Sequence, residues 1–129
     1  NQHRYIKKSA INYPILLAMT HLIEEINING IDYTIVITFN SKTHSKAPMS
    51  IYINQQGNQE MGDYIYTISS YSTYLNNLTN NDQIKLLNQL LVKKFNVPIF
   101  LNISGDIGTT SNVELFRSIV DLVEHLKLN

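Results

Sequence analysis

The chain has 129 residues, a length typical of one domain, so residues 1–129 are predicted to form a single unit. Hydrophobic residues make up 43% and charged residues 16%, which excludes a disordered chain. Ten basic and ten acidic side chains cancel, so neither nucleic acid nor an anionic membrane is expected as a partner. The absence of cysteine excludes disulfides, thiol nucleophiles and thiolate metal sites. Because the chain begins with Asn1 rather than methionine, the sequence does not exclude a targeting segment upstream of it.

The first thirty residues fit two secondary structures. Pro14 is followed by apolar residues at three- and four-residue spacings, among them Ile15, Met19, Leu22 and Ile26, which is typical of a helix with proline in its first turn. Alternatively, Tyr5, Ile6 and Ile11, together with the strand-favouring run from Leu16 to Ile23, fit two strands. The local spacing favours the helix.

The middle of the chain is predicted to be a β-meander. Residues 31–39 alternate strictly between apolar and polar side chains, and residues 49–54 repeat this period of two after a polar loop that ends in Pro48. A glycine-containing loop at residues 55–62 then leads into residues 63–69, which have the composition of a strand. Antiparallel pairing is expected for these segments.

The spacing changes after Thr79, where two helices and a strand are predicted. The first helix has an apolar stripe, and residues 97–103 read as a buried strand because they are almost wholly apolar. The second helix begins at a Ser111/Glu114 capping box. The predicted core stripes are Ile84, Leu87, Leu90, Leu91 and Phe95 in the first helix, and Val113, Phe116, Ile119, Val120, Val123 and Leu126 in the second.

The usual catalytic and metal-binding signatures are missing from the sequence. It has no glycine-rich phosphate loop, no H-E-x-x-H and no G-x-S-x-G. His21 and Glu24 could share a helical face as metal ligands, but two ligands do not make a site. The 104–106 loop (Ser-Gly-Asp) and the Glu124/His125 pair are better explained as a turn and a solvated helix face. No catalytic residue, cofactor or metal site is predicted.

Tyrosines are concentrated between positions 52 and 74. Tyrosine is enriched at protein interfaces because it buries a large area and keeps a polar tip. Ordinary packing within the sheet is the competing explanation. The residues predicted as a protein interface are Tyr52, Tyr64, Tyr66, Tyr71 and Tyr74.

Residues 84–128, IKLLNQLLVKKFNVPIFLNISGDIGTTSNVELFRSIVDLVEHLKL, combine an amphipathic helix, an apolar strand, a polar loop and a second amphipathic helix. This succession resembles the C-terminal half of the proteasome assembly chaperone 4 family. The upstream strand at residues 33–39 and its following loop and strand agree in order. The paralogous chaperone 3 is an alternative, because the loop at residues 55–62 matches no pattern of the chaperone 4 family.

The resemblance implies an α+β fold, with an antiparallel β-sandwich-like sheet system and two helices, at about residues 80–95 and 111–127, packed outside. It makes residues 14–26 a strand rather than a helix. It also implies a non-catalytic chaperone in the cytoplasm and nucleus. Such a protein forms a heterodimer with a chaperone 3-type subunit and promotes assembly of the 20S proteasome α-ring by binding the α5 subunit. A profilin-like or longin-like interaction scaffold is the alternative function.

Overall fold

The computed structural model describes residues 7–11, 19–40, 42, 45–79, 82–105 and 111–128. Seven strands and two helices follow one another along these residues. In chain order they are β1 (Lys7–Ile11), β2 (Met19–Ile28), β3 (Ile31–Asn40), β4 (Met49–Gln55), β5 (Asp63–Ile68), β6 (Tyr71–Asn76), α1 (Asp82–Phe95), β7 (Ile99–Ser104) and α2 (Ser111–Leu128).

The strands form one mixed sheet in the order β1-β2-β3-β4-β7-β5-β6. Neighbours pair antiparallel except β4 and β7, which run parallel with Ile51 opposite Leu101. A parallel pair needs a crossover connection, and here β5, β6 and α1 together provide it before β7 enters the sheet between β4 and β5. The α+β class with two helices is confirmed. Two expectations are not met: β4 and β7 run parallel, and β7 separates β4 from β5, so the predicted meander is interrupted there.

The ambiguous segment near the start of the chain is a strand from Met19 onwards. β2 pairs with β3 over ten residues, from Met19 opposite Asn40 to Ile28 opposite Ile31. The residues that point to the core lie two apart, at Thr20, Leu22, Glu24, Ile26 and Ile28. Leu22 and Ile26 are four apart, a spacing that fits either structure, so pairing with β3 decides. The helix is therefore wrong for this part, whereas residues 14–18 lie outside the described residues.

Both helices pack on the same face of the sheet. Ile84, Leu87 and Leu91 of α1 and Leu115 and Ile119 of α2 belong to one core cluster with the buried side chains of β2, β3, β4, β5 and β7. Burying an apolar side chain of this size contributes roughly 1.5–3 kcal/mol, so this layer is the main source of stability.

Among the stripe residues whose side chains the structure describes, which do not include Leu126, two are assigned wrongly. Leu90 is 51% exposed and Val113 is 59% exposed. The buried face of α1 is rotated toward Asn88, whose Nδ2 donates to Thr67 Oγ1 at 2.9 Å and to the Ile99 carbonyl at 3.1 Å. These bonds let a polar residue take a core position, which the apolar pattern alone does not reveal.

The start of β5 depends on close backbone packing. Gly62 has a φ of 72°, and a Cβ at this position would overlap the carbonyl oxygen of Ile103. The next residue, Asp63, is only 1% exposed, and its Oδ1 accepts hydrogen bonds from the backbone N–H groups of Leu78 at 2.6 Å and Thr79 at 3.0 Å. This carboxylate therefore ties the segment between β6 and α1 to the sheet.

Replacing Leu87 by alanine is expected to lower the free energy of unfolding by about 2–5 kcal/mol, because the side chain is fully buried between α1 and the sheet. Leu90→Ala, on the same helix, should cost less than about 1 kcal/mol because half of Leu90 is already in solvent. Urea denaturation of the two variants measures both values. Equal losses would show that α1 is rotated differently from the arrangement described.

Gly62→Ala should destabilise the chain by about 3 kcal/mol or more, because it adds a steric overlap to an unfavourable backbone angle. Gly57→Ala is the matched control: its φ is 85°, but nothing lies within 4 Å of the added Cβ. Backbone strain alone should cost this variant about 1–2 kcal/mol. Thermal or urea unfolding compares the pair, and similar losses would contradict the close packing of Gly62 against β7.

Candidate protein-interaction surface

The sheet face opposite the helices, here called the open face, is not covered by either helix. Along β3, buried residues such as Ile35 and Ile37 alternate with the half-buried Val36 and Thr38. The same alternation continues across the sheet, where the strand registers place Val36, Tyr52, Asn102 and Tyr64 in one row. An antiparallel sheet commonly leaves one face to solvent, but that face is then mostly polar. This one carries large aromatic side chains.

Four aromatic rings lie together at the centre of the open face. Tyr52 and Tyr64 stack with ring centroids 6.3 Å apart, and Phe100 lies 6.2 Å from Tyr64 and 4.4 Å from Tyr66. These separations fall within the favourable range for aromatic pairs. Tyr52 is 44% exposed and the other three rings are half-buried. Tyr52, Tyr64, Tyr66 and Phe100, here called the aromatic cluster, form an ordered and partly apolar surface within reach of a partner.

The five tyrosines predicted as an interface do not form one surface, because they lie in three different parts of the structure. Tyr52, Tyr64 and Tyr66 meet in the aromatic cluster. Tyr71 pairs with Ile68 next to the β5–β6 turn, at the end of the sheet, and is 76% exposed. Tyr74 lies opposite Ile65 and packs against the core, on the side of the helices. Their role as an interface stays a prediction.

Phe100 completes the cluster and is absent from the predicted interface. It belongs to the apolar run of β7, in which Ile99, Leu101 and Ile103 face the helices. The period of two in that run is the signal that could have placed Phe100 on the other face. Its neighbours could not be inferred in this way, because β7 enters the sheet between β4 and β5.

The environment of the phenol groups differs between the two faces. Burial raises the pKa of Tyr64 above its usual value, and the hydrogen bond and electrostatic interaction with Tyr52 raise this pKa further. Burial also raises the pKa of Tyr74, followed by the effects of the Asp82 and Asp63 carboxylates. Both phenols are therefore neutral near pH 7.

A polar depression of about 480 Å³ adjoins the aromatic cluster, with Tyr52 as part of its lining. Its side chains mostly bond to the protein itself. Asn102 Nδ2 donates to the carbonyl oxygens of Met61 at 2.8 Å and Asp63 at 3.0 Å, and the Ser104 hydroxyl donates to Asn54 Oδ1. These bonds hold the loop after β4 against β7. The lining of the depression is therefore rich in amide groups, with Glu60 as its one charged side chain.

The residues considered as metal or catalytic candidates do not converge. His21 lies on the open face, with Nδ1 2.9 Å from Thr38 Oγ1, whereas Glu24 is buried on the opposite face of β2. Ser104 is buried, and Asp106 lies outside the described residues. Glu124 and His125 are exposed on α2. Across the described residues, no group of three or more His, Cys, Asp or Glu side chains could hold a metal ion.

Neither α1 nor α2, over the residues described for each, has the length and apolar character needed to cross a membrane.

Comparisons with known proteins agree with the expected family. Residues 14–127 match the family described as 20S proteasome chaperone assembly proteins 3 and 4. A chain from the crystal structure of a novel chaperone complex for yeast 20S proteasome assembly has a similar fold, with a TM-score of 0.66 and 15% sequence identity. The similarity covers 86% of this chain and 98% of the yeast chain. Comparison of the sequence with curated proteins gives no match.

The family match spans most of the chain, and the shared fold extends over nearly the whole yeast chain. The predicted resemblance is thereby confirmed at the level of the two paralogous chaperones. Membership supports the role of a proteasome assembly chaperone and implies a non-enzymatic role. The chain belongs to the family of 20S proteasome chaperone assembly proteins 3 and 4.

Proposed function

We propose that this chain forms a heterodimer with a chaperone 3-type subunit, and that the pair promotes assembly of the 20S proteasome α-ring by binding the α5 subunit. The family match supports the assembly role, and the similar yeast chain comes from a chaperone complex. We prefer this role to that of a profilin-like or longin-like scaffold because the match to the chaperone family covers residues 14–127.

The observation that carries the pairing proposal is the aromatic cluster on the open face. Two helices cover one side of the sheet, while Tyr52, Tyr64, Tyr66 and Phe100 remain partly exposed on the other. Tyrosine and phenylalanine are enriched in protein interfaces, where a few aromatic anchors provide most of the binding energy. A flat partner surface stacked on this face would remove all four rings from water at once. The open face is therefore our candidate for the heterodimer interface.

The distribution of charge favours association that does not depend on long-range attraction. The centre of the open face is occupied by aromatic, aliphatic and amide side chains, whereas Glu25 and Glu60 lie toward its margin. The chain as a whole has no net charge. Apolar burial with little electrostatic steering should make the heterodimer only weakly sensitive to salt.

We place the heterodimer in the cytoplasm and nucleus. The lack of cysteine is compatible with a reducing compartment, although it is not specific to one. The balanced charge gives no reason to propose a nucleic acid or a membrane surface as a further partner.

Purified chain mixed with a chaperone 3-type subunit should elute as a one-to-one complex in size exclusion with light scattering. Tyr52→Ala should weaken this complex by about 1–2 kcal/mol, or roughly five- to thirty-fold in Kd, because it removes a ring from the centre of the interface. Isothermal titration calorimetry measures the change.

Leu86→Ala provides the control. Leu86 is 51% exposed, close to the 44% of Tyr52, but it lies on α1 and therefore on the other side of the sheet. Pairing of this variant should equal that of the unaltered chain. A chain that stays monomeric beside the chaperone 3-type subunit would contradict the proposed heterodimer. Wild-type pairing by Tyr52→Ala would instead show that the open face is not the interface.

A further inference from the structure

The two outermost strands of the sheet, β1 and β6, differ in the side chains that they carry along their outer edges. β1 and β6 each have one neighbour among the described strands. β1 carries Lys7 and Lys8, and lysine is a residue type that discourages the addition of another strand. β6 has the sequence YSTYLN and contains neither lysine nor proline. Its edge therefore has no charged or proline side chain to protect it, and its protection is limited to its short length and the register shift at Leu75.

The segment that contains β6 has no charged side chain of its own and exposes several large apolar side chains. From residue 69 to residue 81 the sequence has no charged side chain. Within this stretch Tyr71 is 76% exposed, Leu75 is 52% exposed and Leu78 is 58% exposed. The register of the β5–β6 pair shifts at Leu75. Tyr74 pairs with Ile65 and Asn76 pairs with Tyr64, so Leu75 lies opposite no residue of β5.

The β5–β6 hairpin also determines which backbone groups face outward. Ile68 and Tyr71 flank a two-residue turn in which Ser69 has a φ of 53°. In such a hairpin the pair next to the turn is hydrogen-bonded and the following pair is not. Thr67 and Ser72 form that following pair. The backbone N–H of Ser72 accordingly points away from β5, toward the position that an added strand would take.

We propose that β6 is the docking site for the α-subunit client, which adds an extended, uncharged and apolar segment as an eighth strand beside it. This inference rests on the proposed function, in which the open face is occupied by the chaperone 3-type subunit. A partner stacked on the face of a sheet leaves the edges accessible, so both proteins can be bound together. The uncharged edge selects a segment without charged side chains, because burying an unpaired charge beside Tyr71 and Leu75 would be costly.

A short edge also suits a client that must later be released. β6 has six residues, and alternate residues of a strand direct their backbone groups to the same side. An added strand would therefore make only a few backbone hydrogen bonds, supplemented by contacts with the exposed apolar side chains. An interface of this size is characteristic of transient rather than permanent association.

The heterodimer with the chaperone 3-type subunit is the material for the test, and purified α5 is the probe. Leu75→Lys should weaken α5 binding at least tenfold in biolayer interferometry, while pairing with the chaperone 3-type subunit stays unchanged. Leu90→Lys is the matched control, because Leu90 is 51% exposed, almost as much as Leu75, but lies on α1. Its affinity for α5 should stay within twofold of that of the unaltered heterodimer.

Amide hydrogen exchange followed by NMR tests separately whether the client adds as a strand beside β6. Binding of α5 should slow exchange of the Ser72 amide at least tenfold, because this N–H would enter a new backbone hydrogen bond. Unchanged exchange at Ser72 in the saturated complex would overturn strand addition.

The outcomes separate the two proposals. An unaltered heterodimer that fails to bind α5 would overturn the proposed client, and the β6 docking site with it. Tight α5 binding that Leu75→Lys leaves intact would overturn the docking site alone. If the unaltered chain self-associates and Leu75→Lys abolishes this self-association without affecting α5, then β6 pairs with a second copy of the chain and the client assignment is wrong.

Discussion

The apolar layer between the two helices and one face of the sheet is the interaction on which the rest of the molecule depends. Leu87 and Leu91 of α1, with Leu115 and Ile119 of α2, are fully buried against the isoleucine-rich strands. Roughly 1.5–3 kcal/mol per buried side chain makes this layer sufficient to hold the helices against the sheet. Because both helices are used on one side, the open face keeps the aromatic cluster partly exposed. The stability of the chain and the availability of its candidate interface thus have the same origin.

Much of this fold can be predicted from periodicity, and the failures have a physical pattern. The period of two predicts β3 and β4, and the helical spacing predicts α1 and α2, because in each case the core lies on one side of the element. The strand-type composition of residues 63–69 predicts β5. β2 was ambiguous because residues four apart face the same way in both structures, and ten pairs with β3 decide between them. Leu90 was misplaced because the hydrogen bonds of Asn88, which come from distant strands, rotate the buried face of α1.

The sequence predicts only some of the residues that form the candidate surface. Tyr52, Tyr64 and Tyr66 could be grouped by their proximity in the chain, and alternation puts Tyr64 and Tyr66 on one face of β5. Phe100 joins them only because β7 enters the sheet between β4 and β5. Tyr74 leaves the group because its position opposite Ile65 directs it to the core. Strand order and register, which are long-range properties, therefore decide which aromatic side chains meet.

The central claim is that the open face, and not the helical side, receives the chaperone 3-type subunit. Hydroxyl-radical footprinting with mass spectrometry tests it most directly, because it reports solvent access at individual aromatic and aliphatic side chains. Upon pairing, oxidation of Tyr52, Tyr64, Tyr66 and Phe100 should fall strongly, while oxidation of Leu86 and Leu90 on α1 should not change. Protection of the two leucines with continued oxidation of the four rings would contradict the account.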